Sequence, residues 1–215
     1  MSGGSLSGKE ATDIGLPNAG SYQLDLAIDY VVLCLFQASL DEAATWLAIA
    51  NKLIANGFKN DDDRLCTEAQ QMRLDYYAAQ LCYRQKDYPK AKLLNRKILQ
   101  RSQQQLQSSA VSTPQRQQAE VYSLNWLVDI ALKENDVKEA DRLLQQSWPI
   151  IQGGKDLRSQ AFHQRSKAKL AKRTGNLADF HHWSKQALDC FDTLGMHPQS
   201  QEMHKWLMEN SSLPH

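Results

Sequence analysis

His181 and His182 are adjacent in this chain, and with His163 and His204 they are the first residues to test for chemistry. Neighbours on a helix point about 100° apart, so His181 and His182 do not close on one metal ion. His163 and His204 stand at no fixed spacing from them. Cys190 follows His182 by eight residues. That is about 12 Å along a helix, too far for a direct thiolate–imidazole pair. The run Asn60-Asp61-Asp62-Asp63 is the one acidic cluster that suggests calcium. A calcium loop counted from Asp61 needs Gly and Glu where the chain has Cys66 and Met72. Helix capping explains those carboxylates better. No Walker, dinucleotide-binding or nucleophile-elbow pattern occurs. The residues therefore point to a non-catalytic protein that needs neither cofactor nor metal.

Composition sets the frame for what does position side chains. The 215 residues are 42% hydrophobic and 23% charged, enough for a real core. A formal charge of +1 removes bulk basicity as an argument for nucleic acid. The cysteines Cys34, Cys66, Cys82 and Cys190 are far apart and read as free thiols in a reducing compartment. No apolar run approaches the roughly 20 residues of a membrane span, and the N-terminus lacks a secretory pattern. The expectation is a cytoplasmic protein with no membrane contact.

Residues 1–21 are rich in Gly and Ser and read as a disordered arm. From Tyr22 the apolar residues recur at helical spacing. Leu24, Ile28, Val31 and Leu35 form one stripe, and Ala43, Trp46, Leu47 and Ala50 a second. Gly57 is expected to end that second helix. Long helices follow on either side of Lys86-Asp87-Tyr88-Pro89, then on either side of Asn135-Asp136, then of Gly175-Asn176. In the helix after Asp136, Ala140, Leu143, Leu144 and Trp148 are expected to face inward, and Pro149 to kink or end it. A last short helix carries Met203, Trp206 and Leu207 on one side. Residues 210–215 read as a flexible tail, leaving one helical domain over 22–209.

The pattern repeats. Ala43, Ala91, Ala140 and Phe180 occupy the same place early in each second helix, at intervals of 48, 49 and 40 residues. The segment A-A-Q-L-C-Y-R-Q-K-D-Y-P-K-A, with its small residues, turn and Asp-Tyr, resembles a tetratricopeptide repeat. L-V-D-I-A-L-K-E-N-D-V-K-E-A and A-K-L-A-K-R-T-G-N-L-A-D-F are weaker relatives of it, the last with Phe180 in place of the family's Ala. The ending A-L-D-C-F-D-T-L-G-M is loosely similar to repeat regions of bacterial regulatory proteins. The resemblance implies an all-α fold, a right-handed superhelix of four helix pairs with a terminal capping helix.

It also implies a concave side lined by the first helix of each pair. That side would hold Arg73, Tyr76, Gln80 and Tyr83, then Tyr122, Asn125, Asp129 and Lys133, then Phe162, Arg165, Lys169 and Lys172. Aromatic and Arg side chains are what binding hot spots use. The expected partner is another protein, a peptide or helix of acidic character, in a regulatory or assembly role. The set does not match a carboxylate clamp for a chaperone tail. One alternative is a nucleic-acid-binding solenoid using Lys90, Lys92, Arg96, Lys97 and Arg101 together with the basic stretch of the seventh helix, over about 155–173. The other is a receptor domain for a signal peptide or small ligand.

Overall fold

Every element of the computed structural model is helical among the residues it describes, 19–56, 63–108, 114–153 and 156–211. They are α1 (Ala19–Phe36), α2 (Leu40–Ala55), α3 (Asp63–Arg84), α4 (Tyr88–Ser108), α5 (Pro114–Lys133), α6 (Val137–Gln152), α7 (Leu157–Thr174), α8 (Leu177–Thr193) and α9 (His197–Ser211). The arm expected over 1–21 falls outside the described residues as far as residue 18, and the tail from residue 212. Gly57 and the aspartates before Asp63 also lie outside them. No helix among the described residues is long and apolar enough to cross a membrane.

The helices are joined by one local device. At Ala38, Lys86, Asn135, Gly175 and Gly195 the chain enters the left-handed region, with φ between 60° and 75°. The next residue's N–H then reaches back to a carbonyl five positions earlier, as in Ser39 to Cys34, Asp87 to Cys82 and Asp136 to Ala131, at 2.8–2.9 Å. Asn176 to Ala171 and Met196 to Phe191 repeat it at 3.0 and 2.9 Å. This is a Schellman cap, which pairs carbonyls that a helix end leaves orphaned. Three of those residues also cap the following helix. Asp87, Asp136 and Asn176 accept from the N–H of Lys90, Glu139 and Asp179 at 3.0–3.1 Å. One residue thus ends one helix and starts the next, which fixes a tight hairpin.

Position five after each left-handed residue is Ala43, Ala91, Ala140, Phe180 or Ser200, and all are buried. The repeat visible in the sequence is therefore a repeat in space at the level of the hairpin.

The chain forms two compact units, ending and beginning at Leu94 and Asn95 within α4. In the first, α1 lies against α2 and α3. Leu24, Ile28, Val31 and Leu35 meet Ala43, Ala50, Leu74 and Leu81. Tyr30 stacks on Trp46 with centroids 4.5 Å apart, and the Arg84 guanidinium donates to the Leu35 carbonyl. In the second unit, α5 packs on α6 and α7, and α8 on α7 and α9. Leu124, Leu127, Val128, Leu143 and Leu144 form one core, and Ala161, Ala187, Phe191 and Met203 another.

One local expectation is narrowed, since the early end at Pro149 does not occur, and one is corrected, at Trp148. Helix α6 continues past Pro149 to Gln152. The missing N–H falls opposite the carbonyl of exposed Gln145, which water can satisfy, and only one turn remains to be built. Trp148 is 39% exposed, and Ser147 takes the interior position. A small hydroxyl fits there because Ser147 Oγ lies 2.9 Å from His163 Nδ1 and 3.0 Å from the Leu144 carbonyl.

Candidate partner-binding face

Gly175 lies 40 residues after Asn135, and the same offset carries each polar position of α5 onto α7. Tyr122 corresponds to Phe162, Asn125 to Arg165, and Asp129 to Lys169. Each set recurs at a spacing of three and then four residues, which keeps its members on one helix face. Because α5 and α7 pack together, the two sets meet.

At the N-terminal end the contact is aromatic. The Tyr122 and Phe162 rings meet edge to face with centroids 5.9 Å apart, and Phe162 meets Phe191 at 5.3 Å. Cations lie over these rings. Arg158 is 5.8 Å from Tyr122 and 5.9 Å from Phe162, and Arg165 is 4.9 Å from Phe162. Gln118, a turn before Tyr122, donates to its hydroxyl at 3.1 Å and to Asp156 at 3.2 Å. Asp156 in turn caps α7 through the Arg158 N–H.

At the other end the contact is ionic. Lys169 Nζ lies 2.6 Å from Asp129 Oδ2, and Arg165 pairs with Glu202 of α9 at 3.2 Å. Burial pulls the Lys169 ammonium below the ordinary lysine range, and the Asp129 carboxylate opposes that pull. Asp129→Ala is expected to cost about 3 kcal/mol, the low end for breaking a buried pair because a quarter of Lys169 still meets water. The double variant Asp129→Ala/Lys169→Ala recovers part of that loss in urea titrations, because no charge is then stranded.

Between the two ends sits Asn125. It is 8% exposed, and neither its amide oxygen nor its amide nitrogen finds a partner among the described residues. Asp129 Oδ1 and Arg165 Nε are likewise buried and unmatched there. Buried polar atoms without partners are costly and uncommon. Here a donor pair and two acceptors are left open on one face.

Lys133 lies two residues before its turn, whereas Tyr83 and Lys172 lie three before theirs, so Lys133 falls out of register. It is exposed. Lys172 is exposed too, 5.7 Å from the Phe180 ring and 5.9 Å from Trp206. In the first unit, Arg73 lies near Asp25 and Asp29 at 3.3 and 3.6 Å. Tyr76 packs on Tyr77 at 5.4 Å and Tyr83 on Tyr88 at 5.5 Å, while Gln80 is half-buried. Of the basic residues on α4, Lys90, Arg96 and Lys97 are exposed.

Sequence reasoning did not reach Gln118, Arg158 and Glu202. The first two were accessible to it, since they stand 40 residues apart, one turn before Tyr122 and Phe162. Glu202 carries no such signal, because its contact depends on where α9 docks.

Elsewhere in this unit His163 is fully buried and stacks on Trp148 at 5.5 Å. Beside it is a cavity of about 140 Å³ lined by Trp148, Ile151, Gln152, Gln160, His163 and Gln164. That is under half the lower bound of roughly 300 Å³ for ligand pockets. Lys167 lies 4.6 Å from the Trp148 ring and 4.1 Å from Trp183. Burial raises the thiol pKa of Cys34, Cys82 and Cys190. Such thiols are poor nucleophiles at neutral pH. Among the described residues no group of three His, Cys, Asp or Glu side chains could hold a metal ion. No protein-family model matches this chain, and no curated protein matches it.

Proposed function

We propose that the chain is a non-catalytic binding module that takes an extended protein segment on the α5–α7 face. The observation that carries this reading is Asn125. An amide more than nine-tenths buried, with both its donor and acceptor open, offers what a peptide group offers in return. Phe162 and Arg165 flank it with the side-chain types that dominate binding energy. The acidic character expected of the partner rests on Arg158, Arg165 and Lys169, the last two of which form ion pairs within the chain.

The finer fold reading belongs with this proposal. A tetratricopeptide-like right-handed superhelix is supported by the recurring Schellman hairpin and by the small residue five positions after it at four of the five turns. A regulatory or assembly role in the cytoplasm rests on fold-level analogy.

The test is selection of a randomised peptide display library on the full chain, followed by affinity measurement. Asn125→Ala and Arg165→Ala should each weaken a selected peptide by about tenfold or more, the effect of a hot-spot truncation. Lys133→Ala should leave affinity unchanged. Equal binding by all four proteins would place the site elsewhere and remove the proposal.

A further inference from the structure

Helix α1 is apolar on two opposite sides. Leu24, Ala27, Ile28, Val31, Cys34 and Leu35 are buried against α2 and α3. Facing the other way, Tyr22 is 78% exposed, Leu26 47%, Leu33 48% and Phe36 74%. At about 100° per residue the two sets centre on opposite sides of the helix. A helix that is apolar all round belongs in an interior, not at a surface. Helix α9, last in its own unit, behaves differently: Gln201, His204 and Lys205 are exposed on it.

We infer that the outer face of α1 is a self-association surface, occupied by the same face of a second copy. Three properties favour this occupant. First, the stripe runs 22, 26, 29, 33, 36, alternating steps of four and three, the spacing that keeps a seam against a partner helix. Second, it carries charge of both signs. Asp29 is the one acidic residue within the stripe, 3.6 Å from Arg73, which also lies 3.3 Å from Asp25. A two-fold axis near Asp29 brings each copy's guanidinium to the other's carboxylate, so the surface complements itself. Third, the area is sufficient. The four exposed side chains offer roughly 500 Å² of apolar surface, counting about 200 Å² per aromatic ring. Asp25, Asp29, Arg73 and Tyr30 at the margins bring each side close to the ~800 Å² of a standard interface. Asp29 fixes the register at some expense of affinity, as a single polar residue does in a helical seam.

The experiment is sedimentation equilibrium of the full chain from about 1 to 100 µM, a range suited to an interface at the small end of its class. Wild type should dimerise. Leu26→Glu/Leu33→Glu should be monomeric with unchanged far-ultraviolet circular dichroism, since both positions are already half in water. In Asp29→Cys a short bismaleimide should link two chains, and in Asp41→Cys, on exposed α2 surface, it should not. A wild-type chain that stays monomeric at 100 µM overturns the inference. So does a dimer that survives the double glutamate variant.

Discussion

Phe180→Ala is expected to destabilise the protein by about 3–5 kcal/mol, although alanine is what three of the four equivalent positions carry. Those three are Ala43, Ala91 and Ala140, each buried five residues after its left-handed turn residue, and the fourth is Ser200. A repeat-consensus argument would make the change neutral or favourable. Packing gives the opposite sign. Phe180 is 0% exposed and sits with Ala168 and Ala171, with Trp183 and Trp206 against that cluster. Ala168 and Ala171 are small where the α7 backbone approaches α8, and the phenyl ring fills the space they leave. Its centroid is 6.4 Å from Trp206 of α9 and 5.4 Å from His181. Removing the ring takes support from three helices at once. A cavity among fixed helix backbones collapses poorly, so both the transfer and the cavity cost are felt. Urea denaturation followed by circular dichroism measures the loss. A change below about 1 kcal/mol would mean that α9 relaxes into the space, and that the hairpin tolerates either residue.

The hairpins were legible in the sequence because their cause is local. A small residue, a turn and a capping Asp or Asn recur at Asp87, Asp136 and Asn176, and each forms its bonds within a few residues. Gly175 and Gly195 announce a left-handed residue by type. Ala38 and Lys86 do not, and take that conformation because the Schellman bonds around them require it. Trp148 was misplaced because Ser147 and Trp148 both lie near the apolar stripe of α6. A buried His163 that wants a hydroxyl, not an indole, decides between them. The α5–α7 face follows from register alone, since Asp129 and Lys169 share one position in successive hairpins. The pairing of Arg165 with Glu202 does not, because it reports tertiary docking of α9. The division of the chain within α4 left no mark in the sequence either, as no Gly or Pro interrupts residues 90–106.

Acid should destabilise this protein through His163, by about 2.5 kcal/mol between pH 7 and pH 4.5. The imidazole is fully buried. Ser147 has one hydroxyl proton and gives it to the Leu144 carbonyl, so its oxygen accepts from His163 Nδ1–H. In the neutral ring Nε2 is then bare and meets no donor among the described residues, and a proton added to it would meet no acceptor there. A second proton would charge a desolvated ring that lies under Trp148, with Lys167 nearby to repel it. Burial foremost, and then Lys167, hold the pKa down to about 3 from 6.5. The unfolded chain takes up this proton near pH 6.5, and the native state does so only near 3. Between those values the unfolded state binds more protons, so stability is full above about 6.5 and falls as the solution is acidified. Each pH unit in that window costs about 1.4 kcal/mol. His163→Gln, which keeps a polar contact to Ser147 and cannot titrate, should be less stable at pH 7 yet lose less on acidification. The difference between the two curves isolates the imidazole from the carboxylates that both proteins share. Parallel curves from pH 7 to pH 4.5 would show that water reaches Nε2 and accepts its proton, and that the ring is not sealed.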